Sequence, residues 1–254
     1  MMPVSDAREI DTMAPPPQAR SQDMERRGFF VAIASVLVVI VAVGFAPSFY
    51  LKTYFHALGS GDRPIPMHVI LHGVLLTSWY VLFLVQTILV ASRRVAVHRL
   101  LGRVGAGVAV AVVTASMLVV VRLASRAVAR GVPERVALIV TGDTCLLILF
   151  GLFVLAGISY RQRPDVHKRL MLLASITIVA PALARWPGAE ALVPISVIVP
   201  QLGLIAALIV YDLVLRRRVH PATGWGAALY VVAAGASTAI GFSPVGRAFV
   251  TALA

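Results

Sequence analysis

The sequence predicts an all-α, polytopic membrane protein built as a bundle of seven transmembrane helices. Of its 254 residues, 59% are hydrophobic and 13% are charged, whereas about 25% are charged in an ordinary soluble domain. The mean hydropathy is +0.89. The apolar residues occur in runs of about twenty, the length at which a helix crosses about 30 Å of hydrocarbon. A soluble globular domain is therefore not expected, and the lipid bilayer is the expected partner.

The first 28 residues differ from the rest of the chain. They contain three consecutive prolines at positions 15–17, mixed charges and almost no bulky apolar side chains, a composition that cannot repay the entropy of ordering. We predict a disordered cytoplasmic tail at residues 1–28 and a seven-helix transmembrane domain at residues 29–254. A cleavable signal is not expected, because no small-residue cleavage site follows a short apolar core.

Seven apolar segments follow the tail, each close to the length of one membrane crossing. They lie near residues 29–50, 66–91, 100–121, 136–160, 170–186, 193–215 and 225–242. The fifth segment is the shortest and contains Pro181, so its outer end is expected to kink or unwind.

The distribution of Lys and Arg predicts the orientation. With the amino terminus inside, 13 basic residues fall in or beside the inner loops and 8 on the outer side, and cytoplasmic loops carry the excess of positive charge. We therefore expect the N-terminus in the cytoplasm and the C-terminus on the outer side of the membrane. The same bias explains the net charge of +12 without nucleic acid, since no basic stretch is interleaved with stacking aromatic residues.

Polar side chains at membrane depth predict a cluster in the outer leaflet, because such groups are expensive in lipid and mark function by default. His68 and His72 lie four residues apart in the second segment, a spacing that lets two imidazoles reach one metal ion. Asp143 lies about seven residues from the outer end of the fourth segment, and Gln201 lies at a similar depth in the sixth. Arg185 lies near the rim of this cluster.

Two interpretations of this cluster stay open. In the functional one, Asp143 joins His68 and His72 in an outward cavity, around a metal ion or in a proton relay. In the structural one, Asp143 pairs with Arg122 or Arg185, and the imidazoles lie at the level of the lipid headgroups.

The three inner loops each contain RxxxH with Val before the histidine. Two interpretations stay open: a helical hairpin used three times, or the Arg that is expected in any inner loop. The histidines of these loops are His98, His167 and His220. These are candidate ligands of a metal ion or a haem near the inner surface, with Asp165 as a hydrogen-bond acceptor for one of them. The alternative is that all three are headgroup-level residues.

Two other features receive a structural interpretation. Asp212 and Arg216 lie four residues apart near the inner end of the sixth segment, which predicts a local ion pair. The single cysteine, Cys145, lies inside an apolar run, so it is interpreted as a small buried hydrophobic residue without a disulfide.

The loop motifs carry a resemblance to known sequences. The stretches His98-Arg-Leu-Leu-Gly-Arg103 and His167-Lys-Arg-Leu-Met171 resemble the HRxxGR and H[KR]RxM loops of a group of uncharacterised bacterial multi-helix membrane proteins, catalogued as a domain of unknown function. Residues 45–50, 68–73 and 219–223 are also similar to that group. The resemblance implies a multi-helix fold in a bacterial inner membrane, with the outer C-terminus in the periplasm, and it implies no activity.

Three functions follow as expectations. The first is a metal- or haem-associated redox protein that uses haem b or a transition metal, since the two levels of histidines are similar to those of transmembrane b-type cytochromes. The second is a proton-coupled small-molecule carrier in which Asp143 and His72 titrate. The third is an accessory subunit that docks through small-residue helices onto a membrane-protein partner or a second copy of itself.

Overall fold

The computed structural model describes residues 17–57 and 64–254. In these residues the chain is 86% helical and contains no strand, so the predicted all-α class is confirmed. Within these described ranges, six helices are long and apolar enough to cross a membrane. The chain is therefore a multi-pass helical membrane protein.

In the described part of the chain, ten helices follow one another with mostly short connections. Their bounds are α1 (Pro17–Phe45), α2 (Lys52–Ala57), α3 (Met67–Ala91), α4 (Val95–Ala129), α5 (Ala137–Ser159), α6 (Pro164–Thr177), α7 (Ala180–Leu183), α8 (Ile195–Arg216), α9 (Pro221–Gly241) and α10 (Pro244–Leu253). A π-helical turn, Ala46–Tyr50, continues α1, and 3-10 turns occupy Pro133–Val136 and Glu190–Leu192. Proline is the first residue of α6, α9 and α10, where its missing N–H costs no hydrogen bond and its fixed φ suits a helix.

The start of α1 falls inside the segment that the sequence assigns to a tail. The helix begins at Pro17, and residues 1–16 lie outside the described ranges. The disordered tail at residues 1–28 therefore stays a prediction.

Three connections meet at one end of the bundle, which we call the arginine-rich end: residues 92–94, 160–163 and 217–220. The His98 and His167 rings lie 6.3 Å apart there, and His220 hydrogen-bonds Asp165. The other end of the bundle is called the opposite end.

The fifth apolar segment forms an interrupted helix. α6 ends at Thr177 and α7 begins at Ala180. Pro181 explains this interruption, because its nitrogen carries no hydrogen and cannot donate to the carbonyl of Thr177, four residues earlier. The interruption is fully enclosed, since Ile176 and Val179 are both 0% exposed, and α6 packs on α5 and α9. It thus lies in the centre of the bundle and is not one of the six long apolar helices.

The C-terminal helix α10 is absent from the seven predicted segments, because its ten residues are too few for a crossing. It packs against α4 and α5, with Val250 buried beside Val120 and Val140. Ser125 Oγ donates a hydrogen bond to the carbonyl of Ala254 at 3.1 Å. The amphipathic α10 therefore covers the α4–α5 pair at the opposite end.

Candidate functional site

A small cavity lies between α3, α4, α5 and the α6–α7 interruption. Its volume is about 60 Å³, which is enough for water. Four polar side chains line it, and the remaining lining is mostly aliphatic; the polar ones are His72, Ser116, Asp143 and Thr177. The cavity therefore brings part of the predicted outer-leaflet cluster together.

Asp143 faces this cavity without a direct partner. It lies on α5 about 9 Å along the axis from Ala137, the first residue of the helix. Within the described residues its carboxylate makes no hydrogen bond or ion pair, so the predicted pairing with Arg122 or Arg185 is not seen there. Arg185 interacts with Asp143 only electrostatically.

Arg185 lies one helical turn after Pro181, which lines the cavity, and is occupied by other contacts. Its Nη1 donates a hydrogen bond to the carbonyl of Pro181 at 2.7 Å. Its guanidinium lies over the Phe45 ring, 4.9 Å from the ring centre, a cation–π arrangement. Arg185 thus anchors the interrupted helix while its charge acts on Asp143.

The two histidines of the HxxxH pair have different surroundings. His72 Nδ1 lies 3.3 Å from Ser116 Oγ, in hydrogen-bond contact across α3 and α4. His68 is half-buried one turn earlier and is not among the residues that line the cavity. The structure therefore places His72 with Asp143 and leaves His68 outside the site.

Gln201 does not line the cavity, although the sequence places it at the same depth. It is 0% exposed, and its Nε2 donates to the carbonyls of Ile176 at 2.7 Å and Thr177 at 3.2 Å. Its Oε1 accepts a hydrogen bond from the Tyr230 hydroxyl at 2.8 Å. Because Pro181 cannot donate to the carbonyl of Thr177, Gln201 satisfies the backbone at the interruption. Its role is structural support of the cavity wall.

Two aromatic residues hold the same interrupted helix against α3. Trp79 Nε1 donates to Ser175 Oγ at 3.2 Å, and the Tyr80 hydroxyl donates to the carbonyl of Ser175 at 3.0 Å. Buried Trp and Tyr usually find such partners, so a Trp-Tyr pair in an apolar helix was the available sequence signal. Ser175 itself was not singled out.

A buried ion pair at the arginine-rich end was missed by the sequence analysis. Arg169 and Asp212 are 1% and 0% exposed, and the Nε and Nη2 atoms of Arg169 both donate to the carboxylate. Asp212 Oδ2 also accepts from Thr223 Oγ1 at 2.6 Å and from the backbone N–H of His220 at 3.0 Å. The predicted pair of Asp212 with Arg216 is wrong.

His220 belongs to the same network. Its Nδ1 accepts a hydrogen bond from the N–H of Ala222 at 3.1 Å, so the ring proton is on Nε2, which donates to Asp165 Oδ2 at 3.0 Å. Arg216 Nη1 lies 3.7 Å from the same oxygen. Desolvation raises the pKa of the Asp165 carboxyl, but hydrogen bonds from His220 and from backbone amides outweigh it and hold that pKa below its usual value.

The predicted metal and haem ligand sets gain no support. His98 and His167 lie near each other, whereas His220 is bound to Asp165 and Ala222. Among the described residues, no three His, Cys, Asp or Glu side chains lie close enough together to hold a metal ion. This applies both to the three inner-loop histidines and to His68, His72 and Asp143.

Comparison with known proteins adds no relative: no family model, no curated protein and no solved structure matches the chain. The resemblance to the uncharacterised bacterial group therefore stays a prediction. Fold and site together define a class, namely a multi-pass helical membrane protein in which a carboxylate without a direct partner faces a water-sized cavity beside an interrupted helix.

Proposed function

We propose that the protein is a proton-coupled small-molecule carrier in which Asp143 binds the proton and His72 is the second titratable group of the site. The observation that carries this proposal is the carboxylate of Asp143, which lines a cavity with His72 and Ser116 and has no direct partner among the described residues. An ionisable side chain at membrane depth is costly and characteristic of proton pathways.

The interrupted helix supports a carrier. Thr177, Ile178, Ala180 and Pro181 all line the cavity, so irregular backbone lies beside Asp143 at membrane depth. Such backbone is tolerated in a membrane only where protein buries it or where it lines a cavity. Many secondary transporters place their substrate and ion sites at helices interrupted in this way.

The size of the cavity favours a proton over a large resident cofactor. About 60 Å³ accommodates water, whereas pockets for drug-sized ligands occupy roughly 300–1,000 Å³. A solute larger than water then requires a second state of the carrier in which the cavity is wider.

The proposal includes the arrangement in the membrane. α8 is a full-length apolar helix that returns to the arginine-rich end, where His220 contacts Asp165 at the start of α6. The interrupted helix and the connection after it must therefore cover the same height as α8. We accordingly propose seven crossings of a bacterial inner membrane, with the arginine-rich end in the cytoplasm. A partner protein or a homo-oligomer stays a prediction.

The test uses proteoliposomes that contain a trapped pH-sensitive dye. A panel of amines, amino acids and small carboxylates is added outside, and solute-dependent proton movement is recorded. We expect at least one solute to move protons with the unaltered protein, and Asp143→Asn to abolish that movement while eluting as a normal monodisperse species. Glu134→Gln is the matched control, because Glu134 is an exposed carboxylate on the 3-10 turn before α5.

A second measurement needs no solute. Infrared difference spectra between acidic and neutral pH should contain a protonated-carboxyl band that disappears in Asp143→Asn and persists in Glu134→Gln. An identical spectrum for Asp143→Asn and the unaltered protein would refute the proposal, as would unchanged proton movement in that variant.

A further inference from the structure

Two imidazoles lie close together at the arginine-rich end, away from the Asp143 cavity. His98 lies in the first turn of α4, and His167 lies in the first turn of α6. Their ring centres are 6.3 Å apart and their planes meet at 83°. Both follow the repeated RxxxH loop pattern, which the carrier proposal does not use.

The tautomer of His167 is fixed by its surroundings. Its Nδ1 lies 2.7 Å from the carbonyl oxygen of Gly157, and since a carbonyl only accepts, Nδ1 carries the proton. In the neutral ring, Nε2 then presents a lone pair. Histidines that bind metal ions typically donate their other ring N–H to a carbonyl or carboxylate in this way.

Two buried atoms at this position have no hydrogen-bond partner in the described residues. One is Nδ1 of His98 itself, and the other is Oε1 of Gln86, whose side chain contacts the His98 backbone. The orientation of the Gln86 amide follows from its other end, because Nε2 donates to the backbone carbonyl of His98 at 3.2 Å. The oxygen is therefore the unsatisfied atom. Buried acceptors without a partner are uncommon and ask for an explanation.

These groups share one chemistry. His167 Nε2 and Gln86 Oε1 offer lone pairs, and the His98 ring offers one when it is neutral, so together they suit a cation. With metal–nitrogen distances of about 2.0–2.1 Å, two imidazole centres around one ion are separated by at most about 6.4 Å. The observed 6.3 Å lies just within that limit and corresponds to a nearly linear nitrogen–metal–nitrogen arrangement, as in the trans pair of a square-planar site. A tetrahedral angle requires the two ring centres to approach by about 1 Å.

We propose that His98 and His167 bind one divalent transition-metal ion, with the amide oxygen of Gln86 as an additional ligand. Imidazole nitrogen suits zinc, copper and nickel. Water or substrate completes the coordination. The site joins α3, α4 and α6 at the arginine-rich end and is independent of proton binding at Asp143.

The experiment uses the full chain purified with a tag that contains no histidine. Cu²⁺ is titrated into the unaltered protein and followed by electron paramagnetic resonance, and Zn²⁺ binding is measured by equilibrium dialysis with metal analysis. We expect one saturable equivalent of each ion and hyperfine structure from two imidazole nitrogens. The double variant His98→Asn and His167→Asn should bind at least tenfold more weakly, and Gln86→Leu should bind more weakly than the unaltered protein.

The matched control is His68→Asn, because His68 and His72 have the i,i+4 spacing that can itself chelate a metal ion. Binding should be unchanged in this variant. Loss of binding in His68→Asn would overturn the proposal by assigning the ion to the HxxxH pair. The absence of one saturable equivalent, or of nitrogen hyperfine structure, would leave water as the occupant. That result comes from the unaltered protein and does not depend on the folding of any variant.

Discussion

At the scale of single residues, the buried Arg169–Asp212 ion pair depends strongly on the hydrogen bonds around it. Both side chains are almost completely buried, and Asp212 also accepts hydrogen bonds from Thr223 and from the backbone of His220. The pair joins α6 to α8, and the two additional donors bring in the start of α9. One carboxylate therefore fixes three elements at the arginine-rich end.

Replacing Arg169 alone should be strongly destabilising. Arg169→Met leaves Asp212 buried without its cation, which typically costs about 3–5 kcal/mol of unfolding free energy. The double variant Arg169→Met with Asp212→Leu should recover part of this loss, because an apolar pair of similar volume is often tolerated. The measurement is thermal unfolding in detergent. Arg216→Ala is the control, expected to change stability by less than about 1 kcal/mol because its contact with Asp165 is solvent-exposed. Unfolding of Arg169→Met at the temperature of the unaltered protein would contradict this role.

Asp165 predicts how stability depends on acid. Because the pKa of its carboxyl is lowered in the folded protein, its stabilisation is fully present above the unfolded pKa of about 3.9 and is lost as the pH falls through the lower folded pKa. The unfolding temperature should therefore fall less steeply in Asp165→Asn than in the unaltered protein between about pH 6 and about pH 3. Glu134→Gln should keep the original slope. Equal slopes in all three proteins would count against the His220–Asp165 contact.

The polar residues show what can and cannot be predicted from the depth of a residue along its helix. Counting along the helices predicted Asp143 and His72 at one level, and both residues line one cavity in the structure. Gln201 lies at a similar level but points towards α6, because depth contains no information about direction around the bundle. Asp212 finds its cation 43 residues away in sequence, which local spacing cannot predict.

At the scale of elements, Gln201 compensates for the missing N–H of Pro181 by donating a hydrogen bond to the carbonyl of Thr177 at the end of α6. Gln201→Leu should lower stability by about 1–3 kcal/mol, since it removes the donor from two buried carbonyls and the acceptor of Tyr230. In a Pro181→Ala background, a backbone N–H becomes available four residues after Thr177. The cost of Gln201→Leu should then be smaller. A double-mutant cycle of thermal unfolding measures this coupling, and strictly additive effects would contradict it.

The contact between α9 and α5 depends on the absence of a side chain. A Cβ atom added at Gly241 would lie 2.7 Å from the Leu138 Cα atom, so the backbones would have to separate. Gly241→Ala should cost about 1–3 kcal/mol. Gly235, in the same helix, has open space at the corresponding position. Gly235→Ala should be neutral or stabilising, because alanine favours helix. Similar unfolding temperatures for the two variants would show that the contact tolerates separation.

The elements were predictable to the extent that each depends on local sequence. The apolar runs indicated the six long apolar helices, and most of the predicted ends lie within five residues of the observed ones. The exceptions are α1, which begins 12 residues earlier at Pro17, and α4, which ends 8 residues later at Ala129. Pro181 indicated the interruption between α6 and α7. α10 could not be found by searching for long apolar runs, since it is short and amphipathic and depends on the surface formed by α4 and α5.

At the scale of the whole molecule, the positive charges should place the arginine-rich end in the cytoplasm. The test introduces single cysteines into a Cys145→Ser background at exposed positions and labels intact spheroplasts with a membrane-impermeant maleimide. Thr251→Cys, at the opposite end, should react directly. Ser92→Cys, Gln162→Cys and Arg218→Cys should react only after permeabilisation.

The same labels count the crossings. Gln162 precedes α6 and Arg218 follows α8, so identical behaviour at these two positions requires the interrupted helix to cross the membrane. Reaction of Arg218→Cys without Gln162→Cys would instead show six crossings, and direct reaction of all three sites would reverse the orientation.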